Sequence, residues 1–279
     1  MVVTGGNRGL GHDLVRGFAR AGASTVLVTR DLSRGEVAAE QVRSALRAST
    51  PGHLAQIRVE QADLGDLASV RALAERLAAA PGGVHALVNN AAQLFQRRQV
   101  DDAGVERSVA VNHLGPSLLT GLLLPTLRAH APAAVVNLST GSVRFGHLED
   151  LQSAARFSPH RAYATSKLAD LAGTVELAAA LEGSGVRVLA VDPGAMRTGM
   201  GEDMPGVLGF VNRRIKPDQQ PREITAATVV RAASVPALGT GVWLDRRGVP
   251  VRLPRSIRDP KTRREVWRET QRLIGPLPG

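Results

Sequence analysis

Tyr163 and Lys167 stand four residues apart in the stretch Tyr163-Ala164-Thr165-Ser166-Lys167. On a helix that spacing puts both side chains on one face. A lysine ammonium beside a phenol favours the phenolate, drawing its pKa from about 10 toward the working range of a general acid or base. The same ammonium can donate to ribose hydroxyls. Tyr163 is the only tyrosine in the chain, so no other phenol competes for the role. The pair is also a common surface arrangement, and it gains meaning only from its companions.

A second constellation opens the chain. A short apolar strand runs into Thr4-Gly5-Gly6-Asn7-Arg8-Gly9-Leu10-Gly11 and then into a segment of helical period. Glycines let the backbone approach a pyrophosphate, and a helix N-terminus offers free N–H groups and a positive dipole. A residue reading the adenosine ribose belongs near the end of the second strand, about 20 residues on. Thr29-Arg30-Asp31 occupies that place. An arginine can grip a 2′-phosphate with a bidentate fork, whereas an aspartate there would serve a free 2′-hydroxyl. Arg30, with Arg8 in the turn itself, favours NADP(H) over NAD(H).

These groups require a scaffold that brings strand ends together. Met1–Thr4, Thr25–Thr29, Gln56–Glu60, Ala86–Asn89, Ala134–Leu138, Val186–Val191 and Gly241–Leu244 read as strands. Leu10–Arg20, Ser33–Ala48, Asp66–Ala80, Ala103–Ala129 and Tyr163–Glu182 carry helical periodicity, the fourth with a break expected near Pro116. The alternation predicts an α/β fold: one doubly wound, Rossmann-like parallel sheet of about seven strands, with helices on both faces. No linker or repeat divides residues 1–279, so a single domain is expected. Two segments fall outside the pattern: a Gly/Pro/Met-rich insert near 200–221, and an Arg/Pro-rich C-terminal extension near 246–279 with a short helix over Thr262–Ile274. An insert after the sixth strand is placed to cover a substrate.

Composition removes several function classes. The chain carries a formal charge of +10, but its arginines are dispersed, and Lys167, Lys216 and Lys261 are its only lysines. That is the mark of a GC-rich coding bias, and no nucleic-acid partner is expected. The longest apolar run, Leu118 to Leu127, contains Gly121 and Pro125 and is too short to span a bilayer. With no cysteine and no signal-like start, a cytoplasmic location is expected.

Taken together, the motifs resemble the short-chain dehydrogenase/reductase family over nearly the whole chain. The matching segments are the glycine turn, Asp63-Leu64, Asn89-Asn90-Ala91-Ala92, Val111-Asn112-His113-Leu114-Gly115, Val136-Asn137-Leu138-Ser139-Thr140, Tyr163/Lys167, and Pro193-Gly194-Ala195-Met196-Arg197-Thr198. Asn-Arg-Gly-Leu-Gly, Asn-His-Leu-Gly, Thr-Arg-Asp-x-x-x-Gly and the Trp-containing C-terminal helix look closest to the retinol-dehydrogenase-like branch. The resemblance implies that Tyr163 protonates a carbonyl oxygen as hydride arrives, or deprotonates an alcohol in reverse. Lys167 would hold the nicotinamide ribose, and Asn112 a water behind it. Gly5, Asn7, Arg8, Gly9 and Leu10 would cradle the pyrophosphate. Asp63 with Leu64 would meet the adenine, and the backbone of Asn90 and Ala91 the adenosine ribose. Pro193, Gly194 and Thr198 would flank the nicotinamide.

The family places serine where this chain, aligned through Gly146, has Thr140. A threonine hydroxyl can donate the same hydrogen bond to a substrate oxygen, while its methyl narrows the site. Strand alternation would turn Ser139 away.

The expected activity is hydride transfer between NADP(H) and a carbonyl or alcohol carbon of a lipophilic small molecule. Reduction of an aldehyde or ketone is favoured, in a setting such as bacterial secondary metabolism. Two alternatives stay open: a redox-neutral relative (epimerase, dehydratase or cyclase), motivated by Thr140, and an NADP(H)-sensing protein without turnover. The family also implies a homodimer or homotetramer, and the apolar positions of Tyr163–Glu182, including Leu168, Leu171 and Val175, could supply the contact.

Overall fold

The computed structural model describes residues 1–50, 52, 54–194 and 221–275. Thr198, the end of the Pro193–Thr198 motif and nearly all of the insert at 200–221 lie outside them.

The strands form one sheet of seven parallel strands in the order β3-β2-β1-β4-β5-β6-β7. They are β1 (Val2–Thr4), β2 (Thr25–Thr29), β3 (Ile57–Gln61), β4 (Ala86–Asn89), β5 (Ala133–Leu138), β6 (Val186–Val191) and β7 (Trp243–Leu244). Successive residues of a strand face opposite sides. Val2, Leu87 and Val135 enter one core, beneath α3 (Leu67–Ala78), α4 (Gly115–Ala129) and α5 (Pro159–Ala180). Val3, Val88 and Val136 enter the other, beneath α1 (Gly9–Arg20), α2 (Leu32–Ser49) and α6 (Arg222–Ser234). Both faces being covered, each of these valines or leucines contributes about 1.5–3 kcal/mol of burial. This is the doubly wound, Rossmann-like sheet that the alternation predicts.

Aspartates set two of the helix starts. Asp31 caps α2 by accepting from Arg34 N at 3.0 Å, and Asp66 caps α3 through Ala68 N at 2.9 Å. The predicted helix over Ala103–Ala129 differs in detail. Helical structure begins at Arg107, passes through a π-helical segment at Ala110–Leu114, and becomes regular α4 at Gly115. The break therefore precedes Pro116, which sits harmlessly in the first turn of α4. Glu106, wholly buried, anchors the entry by accepting from Ser108 N (2.9 Å), Val109 N (3.1 Å) and Ser108 Oγ (2.9 Å). Widened turns of this kind recur at functional sites, and this one carries Asn112.

Helix α5 begins at Pro159 behind the Ser158 cap, so Tyr163 lies inside it and not at its start. Helix α6 has no counterpart in the sequence reading, because its Ala- and Val-rich segment shows little helical contrast. It packs against α1 through buried Ala226, Val229, Ala232 and Ala233. The expected C-terminal helix is α7 (Pro260–Ile274), which lies across α5, with Trp267 beside Gly173. Among the described residues, no helix is long and apolar enough to cross a membrane.

Candidate active site

The strand order reverses between β1 and β4, and an open α/β sheet binds its ligands at the carboxyl ends of strands at that point. Here the chain stitches the two strand ends together. Thr4 Oγ1 accepts from Asn90 N and Ala91 N, both at 3.0 Å. The Asn90 amide in turn donates to Thr4 O at 2.8 Å and Gly5 O at 3.3 Å. Both N–H groups are engaged by Thr4, so the Asn90 and Ala91 backbone, which lines the cleft, turns other atoms to it.

The glycine turn satisfies what a pyrophosphate needs. Gly5 and Gly9 take φ of +66° and +57°, and a Cβ on Gly11 would lie 2.1 Å from Gly5 O. Any side chain at position 11 would therefore break the turn. Helix α1 starts at Arg8 with no side-chain acceptor and no acid in its first turn, so its N–H groups remain available to an anion. The residues present fit a dinucleotide.

One cleft of about 1030 Å³ runs from this turn across the ends of β1, β4 and β5. Gly5, Asn7, Arg8, Gly9, Leu10, Arg30, Asp63, Leu64, Asn90, Ala91, Thr140, Tyr163, Lys167, Pro193 and Gly194 all line it. At its adenosine end Arg30 donates to Gln93 Oε1 at 3.0 Å, while Asp31 is tied to Arg34 at 3.2 Å as well as capping α2. Asp63 accepts from Gly65 N at 2.8 Å and lies 3.8 Å from Arg107.

Asn112 is the expected site residue that does not reach the cleft wall. It is fully buried, accepts from Gln93 N at 2.7 Å, and donates to Gln93 O at 2.8 Å and Ser166 Oγ at 3.1 Å. Its amide ties the loop after β4 to α5, which is a positioning task.

At the other end stand Thr140, Tyr163 and Lys167. Ser139 and Thr140 follow the end of regular β5 at Leu138, and both border the cleft. The Ser139 hydroxyl is buried, with no hydrogen-bond partner among the described residues. Thr140 Oγ1 lies 3.1 Å from Ser142 Oγ, a second hydroxyl in the site.

The charge state of Tyr163 also departs from expectation. Burial, followed by the negative charges of Asp192 and Asp170, pushes its phenol up to about 12. Lys167 is buried and engaged elsewhere, donating to Leu138 O at 2.7 Å and pairing with Asp170 at 3.8 Å. In the protein alone, Lys167 does not pull the phenol down. Burial lowers the Lys167 ammonium's own pKa, with Asp170 opposing.

Sequence reasoning missed several cleft residues. Arg34 lies in the first turn of α2 just past Arg30, and His160 three residues before Tyr163 on α5, so proximity in the chain could have flagged both. Arg222, which pairs with buried Asp13 at 3.4 Å beside the glycine turn, carries no local signal.

Residues 1–205 match the family model for short chain dehydrogenases. The chain belongs to the short-chain dehydrogenase family. Among its curated relatives are retinol dehydrogenases. Mouse retinol dehydrogenase 12 is 42% identical over 201 residues, which cover 70% of this chain and 61% of that protein. Human retinol dehydrogenase 13 is 33% identical over 287 residues, covering 99% of this chain and 84% of the relative. Among solved structures, a protein from Mycobacterium paratuberculosis superposes with a TM-score of 0.75 at 31% identity, covering 100% of this chain and 94% of its own. Its likeness to these relatives puts the chain in the retinol-dehydrogenase-like branch of that family, and it spans about three fifths of the length of the first of them.

Proposed function

We propose that this protein is an NADP(H)-dependent reductase of lipophilic aldehydes or ketones. The observation that carries the reading is the single cleft joining an arginine-lined adenosine end to the Thr140/Tyr163/Lys167 end. Arg8, Arg30 and Arg34 all line the cleft and could meet a 2′-phosphate, and the nearby carboxylate of Asp31 is already engaged by Arg34 and the α2 N-terminus. That balance favours NADPH over NADH. Relatives named for retinol, a long apolar alcohol, support a lipophilic substrate, as do Leu94 and Leu138 on the cleft wall.

When bound, the reduced cofactor supplies hydride. This chain's residues do the rest. Thr140 and Ser142 offer hydroxyls to the substrate oxygen, and Tyr163 donates the proton that the oxygen takes up. With its pKa raised above the ordinary value, the Tyr163 phenol is protonated near neutral pH and so holds the proton to be given. Homo-oligomerisation belongs to the same reading. Its contact surface lies elsewhere than Leu168 and Leu171 of α5, which are buried within one chain, and light scattering tests it.

The deciding experiment follows NADPH consumption against a panel of lipophilic aldehydes and ketones, with Tyr163→Phe as control. Turnover that vanishes in the variant supports the reading. Tight NADPH binding without turnover on any carbonyl refutes it.

A further inference from the structure

Helix α6 brings a cation to the glycine turn from far along the sequence. Arg222 is the first residue of α6, and that helix packs along α1. The Arg222 side chain lines the cleft. A Cβ on Gly9 would lie 3.8 Å from Arg222 Nη1, so the guanidinium stands beside the first turn of α1.

Buried charge holds it there. Asp13, one turn into α1, is 6% exposed and lies 3.4 Å from Arg222 Nε and 3.3 Å from Arg16 Nη2. The same Arg16 atom lies 3.5 Å from Glu223. Asp13 Oδ2 is buried and makes no hydrogen bond among the described residues, so it meets Arg222 through charge. Burying a carboxylate is costly, and an ion pair at this distance offsets only part of that cost. An apolar residue would join α1 to α6 with less desolvation, so the pair calls for a second role.

We infer that Arg222 is a cofactor-binding residue that grips the pyrophosphate of the dinucleotide, with Asp13 as the positioning residue that aims it. The inference rests on the reading of the cleft as a nicotinamide-cofactor site. An arginine fork is planar and rigid. With Nε toward Asp13, Nη1 stands beside Gly9, at the helix N-terminus where free N–H groups meet an anion. A pyrophosphate carries more charge than backbone N–H groups neutralise. Arg222 supplies a full positive charge and a charge-assisted hydrogen bond.

Position separates Arg222 from the other arginines of the cleft. Arg30 and Arg34 lie past the end of β2, on the side of the adenosine ribose. Arg222 instead stands at the start of α1, directly after β1, where this fold seats the pyrophosphate. Of the cluster Asp13, Arg16, Arg222 and Glu223, Arg222 is the member that lines the cleft. His12, 4.0 Å from Asp13, is held below its ordinary value by burial and so adds no charge at neutral pH.

The test measures equilibrium binding of NADPH, NADH, ADP-ribose and adenosine 2′-monophosphate by fluorescence and calorimetry. It compares the wild-type protein with Arg222→Gln, Asp13→Asn and the double variant. Arg222→Gln should weaken NADPH, NADH and ADP-ribose alike, by about tenfold. Adenosine 2′-monophosphate, which lacks the pyrophosphate, should bind variant and wild type equally. Asp13→Asn should weaken the same three ligands when Arg222 is present and have no effect once it is replaced, a coupling that a merely structural role would not produce. The double variant leaves no unpaired buried carboxylate, and it carries the test if Arg222→Gln does not fold. Unchanged affinity in Arg222→Gln, or in the double variant, overturns the inference. A loss confined to NADPH assigns Arg222 to the 2′-phosphate, and a loss absent for ADP-ribose assigns it to the nicotinamide half; either outcome also overturns it. Losses from Asp13→Asn that persist without Arg222 remove the aiming role. If the wild-type protein binds neither NADPH nor NADH, the cofactor reading fails and the inference falls with it. Binding that is intact in the wild type and undiminished in the variants defeats the inference alone.

Discussion

Because Tyr163 is the only tyrosine, its ionisation can be read directly as phenolate absorbance in the whole protein. Burial and the Asp192 and Asp170 charges push it from the ordinary value of 10 up to about 12, a shift worth about 2.7 kcal/mol. At pH 9 roughly one phenol in a thousand would then be ionised, against one in ten for an unperturbed tyrosine. The linked stability has a definite sign. The folded pKa is raised, so this stabilising contribution is whole below pH 10 and lost as pH rises toward 12, at about 1.4 kcal/mol per unit. Denaturant midpoints of wild type and Tyr163→Phe should therefore diverge between pH 10 and 12, with the wild type losing more. Asp192→Asn, which removes the second cause, should lower the absorbance midpoint. Saturation with oxidised cofactor, whose nicotinamide ring is cationic, should lower it further. A midpoint at or below 10 in the cofactor-free protein would refute the reasoning. It would mean that the Lys167 ammonium faces the phenol and not Leu138 O and Asp170.

Other consequences are equally direct. Gly11→Ala forces its methyl onto Gly5 O and Asn90. It should cost about 1–3 kcal/mol of stability and abolish NADPH binding, as read by thermal unfolding and cofactor fluorescence. Arg30→Ala should weaken NADPH about tenfold or more while leaving NADH unchanged, and equal losses for both would remove the arginine argument. His113, hydrogen-bonded to Thr270 at 2.7 Å and depressed to about 3 by burial and then Lys167, stabilises the fold above pH 6.5. That contribution should fall by about 1.4 kcal/mol per unit as pH drops from 6.5 toward 3, and denaturant titrations of His113→Gln should lose the slope.

The fold was legible in the sequence because its signals are local. Val2–Val3, Leu87–Val88 and Val135–Val136 are apolar on both faces, as central parallel strands must be, and Asp31 and Asp66 mark helix starts. What escaped was structure set by neighbours in space. Helix α6 owes its burial to α1, and its own pattern shows little contrast. The π-helical segment is organised by Glu106, by Gln152 from far along the chain, whose Oε1 accepts from Glu106 N, and by the bonds from Asn112 to Gln93 and Ser166.

The same division runs through the site. Positions along a strand or helix told which residues would share the cleft, and nearly all of the described ones do. Their charge states were not legible, because the Tyr163/Lys167 spacing says nothing about competing partners. Lys167 has two, a carbonyl at the end of β5 and the carboxylate three residues along its own helix. Both draw the ammonium away from the phenol, and both lie on the side of α5 that faces the core. A general acid must carry its proton when the substrate arrives, and a phenol raised to about 12 does so, though as a weaker acid than an ordinary tyrosine until a bound cofactor lowers it. The lysine then matters most in the step that follows, when the phenolate must be reprotonated. The spacing of Tyr163 and Lys167 identifies the pair, and the buried neighbours of Lys167 determine when in the cycle each acts.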